Sequence, residues 1–198
     1  GMGEAAAVAV ASLDEIERLI VADLNLENAQ RVASQCRGKA AAVRIDVTRR
    51  QDLVALMQKT DATMNCVGPF FRFGVPILEA AMAAQRHYSD ICDDPEPALA
   101  MLEMSGRARE AGITAVVGGG ASPGVTNLLA RLAYESLDTV QELVTAWNIA
   151  DSDGSSGSDD GLDFSMAIVH WMQQISGTIL EWRDGRLQDV PPMREEPL

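Results

Sequence analysis

Five short apolar runs recur along the first 117 residues, each separated from the next by a stretch with helical character: LIVA at 19–22, KAAAVRID at 39–46, ATMNCV at 62–67, YSDI at 88–91 and ITAVV at 113–117. Continuous apolar runs of this length suit strands buried on both faces, the habit of parallel sheets. Strand and helix in strict alternation imply right-handed crossovers, and hence a doubly wound parallel α/β sheet. The intervening segments carry their own helix signals. Residues 4–11 are alanine-rich, Asn25 can cap a helix over 26–36, and Thr48 with Gln51 has capping-box spacing for a helix through Met57. Helices are expected over 75–85 and 97–111, after a Gly68-Pro69 break in the first case.

The pattern changes after Gly120. Ser122 and Pro123 suit an N-cap and first helical position for a helix through Leu132. Leu143, Thr145, Trp147 and Ile149 alternate as in a strand, and residues 150–161 are loop-like in composition. Phe164, Ile168, Trp171 and Ile175 share one helical face, and EWRDGRLQDV, centred on Asp184-Gly185, reads as a hairpin. These features divide the chain into residues 1–124 and the start of an incomplete α+β domain at 125–198.

The placement of glycines and acids points to a dinucleotide. In such folds a glycine-rich loop follows the first strand, and an acid ends the second strand about twenty residues further on. Gly3 lies twenty positions before Asp23. Gly1 and Gly3 therefore fit the last half of that loop, and residues 4–11 the helix whose N–H groups would face a pyrophosphate. Asp23 would accept hydrogen bonds from ribose hydroxyls and repel a 2′-phosphate, which favours NAD over NADP. On this reading the first strand is missing. Its flanking strands, ~9.6 Å apart across the empty position, are expected to pair directly or to take in an extended segment such as 143–149.

Other residues gather at strand ends, where ligands bind in open α/β sheets. Asn65, Gly68, Pro69 and Phe70 form a loop that could approach the cofactor, and Gly119 lies in a glycine-rich turn with free N–H groups. His87, Tyr88 and Asp90 are candidates for a general base at a strand end. Structural readings stand beside these. Asp23 also suits a cap for the following helix, Asn65 also suits a turn, and acid clusters are usually solvated faces.

The bulk chemistry narrows the field. Sixteen basic and twenty-nine acidic residues give a formal charge of -13. That field disfavours nucleic acid and anionic membrane surfaces as partners. Three widely spaced cysteines and two histidines make neither a disulfide framework nor a metal site, and they suit a reducing, cytoplasmic setting. Neither tyrosine has a lysine four residues later, which argues against a carbonyl reductase or epimerase of the Tyr-x-x-x-Lys kind.

ADLNLENAQRVA, MNCVGPF, HYSDICDD and VVGGGASPGVTNLLA occur in that order across residues 22–130. In these stretches the chain resembles saccharopine dehydrogenase-like proteins, a group that includes lysine 6-dehydrogenases. The N-x-x-G-P-F and G-x-S-P-G-x-T-N segments are the most specific. The resemblance implies a Rossmann-type fold and a nicotinamide-dependent oxidoreductase acting on a C–N bond of an amino acid or polyamine. It also implies a homodimer built through a longer second domain. The chain departs from the family pattern in lacking a complete glycine fingerprint and most of that domain, as expected of a fragment. The alternative from another class is a nucleotide-binding regulatory module that does no chemistry.

Overall fold

A computed structural model describes residues 1–145, 172, 175–183 and 185–192. The chain divides into two compact units, Gly1–Asp138 and Thr139–Leu198. The helix after the glycine-rich turn thus lies in the first unit, not at the head of the second.

The first unit alternates as the sequence requires: α1 (Met2–Ala11), β1 (Leu19–Asp23), α2 (Leu26–Ser34), β2 (Ala40–Arg44), α3 (Arg50–Met57), β3 (Ala62–Asn65) and α4 (Phe70–Ala84). It continues through β4 (His87–Asp90), α5 (Pro95–Glu103), α6 (Ser105–Glu110), β5 (Ala115–Val116) and α7 (Val125–Glu135). Every strand pair in this unit is parallel: β1 with β2, β3 with β4, and β4 with β5. The α/β class and the parallel, Rossmann-type arrangement are as expected. None of the described helices is long and apolar enough to cross a membrane.

Several local readings are corrected. Thr48 does not cap α3, because its N–H and hydroxyl both donate to the Asp46 carboxylate, at 2.9 and 2.6 Å. These two donors from Thr48 hold the Asp46 carboxyl below its usual range, and the helix starts at Arg50. α4 begins five residues earlier than its apolar periodicity suggested, directly after Pro69, and runs through Pro76. The helix expected over 97–111 breaks at Met104 into α5 and α6. α7 starts at Val125 with Gly124 as N-cap, two residues beyond the Ser122-Pro123 signal.

The main core lies under the β3–β4–β5 sheet, where Ile77, Leu78, Ala80 and Ala81 of α4 pack with Leu53, Met57, Tyr88, Met101 and Ala108. α1 lies against α2 and β1, and Glu4 accepts from Arg31 Nη2 at 3.1 Å and from Gln35 Nε2 at 2.9 Å.

β1–β2 and β3–β4–β5 form separate sheets. Among the described residues, β1 and β3 neither pair with each other nor take a strand between them, contrary to the expectation of closure or filling. Residues 143–145 form no strand, and 146–149 lie outside the described residues. Closure or filling is required only where strand edges are dry. Here Leu19, Ile20 and Val21 are only half-buried and Met64 is 44% exposed, so edge groups reach water and the penalty for leaving them unpaired is small.

In the second unit, β6 (Ile179–Arg183) and β7 (Arg186–Val190) pair antiparallel, with Arg183 opposite Arg186. This is the expected hairpin, with Gly185 at φ 77° in its turn. The helix expected around 164–175 falls almost wholly outside the described residues.

Candidate functional site

The candidate site lies along the carboxyl ends of the parallel strands. At the end of β1, Asp23 is exposed, and its Oδ1 accepts the Asn25 N–H at 2.8 Å. Asn25 in turn caps α2 by accepting from the Glu27 N–H. Its second oxygen engages none of these groups, so Asp23 combines the turn role with an open carboxylate edge. Arg44 ends β2 in register with Asp23 and reaches over β1 to donate from Nε to the Leu24 carbonyl at 3.2 Å. No local pattern links residues 21 apart, so only strand pairing reveals this cation beside the acid.

α1 brings its N-terminus to the end of β3. A Cβ on Gly3 would lie 3.4 Å from Cys66 Cβ, so the α1 N-terminus stands against the end of β3 with space for a methyl and little more. The first N–H groups of a helix have no intrahelical partner, and those of α1 open beside the end of β3. Gly1 is exposed beside them. This donor set fits a pyrophosphate, and the acid at β1 fits a ribose.

Beyond β3 the chain turns through Cys66, Val67, Gly68 and Pro69. Asn65 is 2% exposed. Its Oδ1 accepts the Val67 N–H at 2.9 Å, and its Nδ2 donates to the Tyr88 hydroxyl at 3.0 Å. Gly68 is exposed with open space where a side chain would stand. Phe70, by contrast, packs into the core, so the ring is not on the loop's open face.

Tyr88 and Asp90 are buried together. The Tyr88 hydroxyl donates to Asp90 Oδ2 at 2.8 Å, while Oδ1 accepts the N–H of Cys92 at 3.0 Å and that of Gly118 at 2.8 Å. The Asp90 carbonyl also accepts from the Gly119 N–H at 2.7 Å. Burial pushes the Tyr88 phenol well up, with the Asp90 charge adding to it. Burial likewise pushes the Cys92 thiol up to about 12 and raises that of Cys66. None of these groups offers an ionised nucleophile at neutral pH.

His87 is not brought to this group. It sits exposed at the opposite end of β4, three residues and ~10 Å along the strand, and its Nδ1 accepts the Thr114 N–H at 3.0 Å.

The 118–124 turn closes the site beyond β5. Gly118 adopts φ 71° and Gly124 φ 127°, which side-chain-bearing residues rarely reach. A Cβ on Gly124 would stand 2.0 Å from the Gly120 carbonyl oxygen. Gly119 is exposed above the Asp90 carbonyl. Sequence spacing singled out Asp90 and Gly119 separately. It missed that Gly118, 28 residues on, supplies one of Asp90's donors.

A sequence model described as the saccharopine dehydrogenase NADP binding domain matches residues 1–116. Among solved structures, the chain is similar to apo saccharopine dehydrogenase (L-Glu forming) from Saccharomyces cerevisiae, at 22% identity and TM-score 0.59. The match covers 69% of this chain and 29% of the yeast one, so the chain spans under a third of that protein. An NAD binding oxidoreductase from Klebsiella pneumoniae matches at 23% identity and TM-score 0.46, over 69% of this chain and 36% of that one.

Proposed function

The chain belongs to the saccharopine dehydrogenase NADP-binding domain family, and we propose that it is the cofactor-binding part of a nicotinamide-dependent oxidoreductase acting on a C–N bond of an amino acid or polyamine. The observation that carries this reading is the meeting of the α1 N-terminus with the loop that follows β3, where Gly3 stands against Cys66, while Asp23 closes β1 at the carboxyl end of the neighbouring two-stranded sheet. Bound nicotinamide would accept hydride from the carbon bearing the amine. The amine nitrogen loses a proton in the same oxidation, and water then hydrolyses the imine.

The chain's own residues divide this work. Met2 and Gly3 N–H groups would face the pyrophosphate, Asp23 the adenosine ribose, and the Gly68 and Gly119 backbone the nicotinamide end, with Asn65 buried behind the loop on Val67 and Tyr88. Asp90 and Tyr88 already engage one another and the neighbouring backbone. They suit holding that end in shape better than carrying protons. The base is then sought on a residue facing the substrate, with His87 the most remote of the candidates.

For the cofactor we favour NAD, because Asp23 ends β1 where a 2′-phosphate would have to sit. Arg44 beside it tempers that repulsion, and the matched domain is described as NADP-binding. Titration of intrinsic NADH and NADPH fluorescence decides the matter. NADH should bind more tightly, Asp23→Ala should narrow the difference, and Arg44→Gln should widen it. Equal affinities in the unmutated chain would refute the role of Asp23. A non-catalytic nucleotide-binding module remains the alternative, and it predicts binding with no NADH formed from any amine by the full-length protein. A small-molecule substrate, a homodimer and a cytoplasmic location complete the proposal.

A further inference from the structure

Three strand-end loops meet around one buried chain of side chains. Asn65 closes β3, Tyr88 and Asp90 lie on β4, and Gly118 follows β5. Asn65 pairs in register with Asp90 across the two strands. The chain is directional. The Asn65 amide donates to the Tyr88 hydroxyl, which donates to Asp90 Oδ2. The far oxygen of Asp90 holds the Gly118 and Cys92 N–H groups. At the other end, Asn65 Oδ1 holds the Val67 N–H and so shapes the loop that leads to Gly68. Asn65, Tyr88 and Asp90 are each 2% exposed or less, so the intact chain of hydrogen bonds is closed to bulk water.

The place of this chain in the sheet decides which half of a dinucleotide it serves. Asp23 and Arg44 mark the adenosine side at β1 and β2, and the α1 N-terminus marks the pyrophosphate at the end of β3. A dinucleotide laid across that edge puts its second half over β3, β4 and β5. The 65–69 and 118–124 loops flank that half, and both are tied to Asp90.

We propose that Asn65, Tyr88 and Asp90 act as a positioning relay that sets the 65–69 loop against the 118–124 turn and thereby shapes the nicotinamide subsite, while leaving the adenosine subsite untouched. This rests on the nicotinamide reading above. The three residues touch neither cofactor nor substrate. They act through the Val67, Gly118 and Gly119 backbone.

The test compares two ligands that share the adenosine and pyrophosphate halves. The unmutated chain and Tyr88→Phe are titrated with NADH by fluorescence and with ADP-ribose by calorimetry. The phenylalanine keeps the ring's packing and removes the hydroxyl that joins Asn65 to Asp90. NADH affinity should fall about tenfold, with ADP-ribose affinity changed less than twofold. Amide exchange at Gly118 and Gly119 should quicken in parallel. Asn65→Ala provides a second variant should Tyr88→Phe not fold. It removes the amide that joins the Val67 N–H to the Tyr88 hydroxyl, and it should show the same ligand-selective loss. Equal losses for both ligands would mean a general structural role and overturn the relay, as would no loss for either. An unmutated chain that binds ADP-ribose and NADH equally well also overturns it, leaving the family reading in place. Failure of that chain to bind either ligand would overturn the functional reading itself.

Discussion

Replacing Asp90 tests how much of the first unit's stability resides in its buried polar chain. The carboxylate accepts three hydrogen bonds, from Tyr88, Cys92 and Gly118 at 2.8, 3.0 and 2.8 Å, at a residue 1% exposed. Asp90→Ala leaves two N–H groups and one hydroxyl without an acceptor. Each buried unsatisfied group costs about 1–3 kcal/mol, which bounds the loss at about 3–9 kcal/mol. A side-chain-sized space admits water that restores part of this, so about 3–5 kcal/mol is expected, a large share of the ~5–15 kcal/mol typical of a folded domain. Asp90→Asn differs in one respect. Its Oδ1 still accepts both N–H groups, while its amide replaces only the acceptor that faced Tyr88. One hydroxyl is then unpaired, for about 1–3 kcal/mol. Urea unfolding followed by far-ultraviolet circular dichroism should therefore rank alanine below asparagine by about 2 kcal/mol. Equal losses for the two variants, or a loss below about 1 kcal/mol for alanine, would show that the N–H contacts do not anchor the turn.

The remaining expectations concern the two edges of the same site and the clasp beneath it. Gly3→Ala places a methyl in ordinary contact with Cys66 and improves helix propensity by about 0.5–1 kcal/mol, so thermal unfolding should rise slightly; Gly3→Val overpacks the contact and should cost about 1–3 kcal/mol. Gly124→Ala must leave φ 127° and clear the Gly120 carbonyl, so a loss of at least about 3 kcal/mol is expected by the same measurement. The Arg31 guanidinium, helped by Gln35, lowers the Glu4 carboxyl from its ordinary 4.5 to about 2. Because the folded value is depressed, the contribution of this α1–α2 clasp is fully present above pH 4.5 and is lost as pH falls towards 2. Urea midpoints between pH 5 and 2 should fall more steeply for the unmutated chain than for Arg31→Met, and parallel slopes would exclude the clasp.

Local sequence determined the alternation of elements in this protein, because each strand and helix carries its own hydrophobic period and caps. LIVA is apolar throughout, Asn25 does cap α2, and Gly185 sits where the hairpin turns. The strand-end positions of Asp23, Asn65 and Asp90 follow from the same grammar, since an acid or amide closing an apolar run must fall at a sheet edge. Local signals misled where a nearer partner intervened. Thr48 bonds Asp46 instead of capping α3, and Gly124 displaces Ser122 because only glycine can stand against the Gly120 carbonyl. The tertiary structure alone decided which edge groups meet. It set Arg44 beside Asp23 through strand register, parted His87 from Asp90 by the length of β4, and joined Gly118 to Asp90 across 28 residues. It also gave Asp90, one of the three candidate bases, three internal donors to accept from. A carboxylate's partners depend on which loops converge on it, and that convergence is a property of the packed sheet.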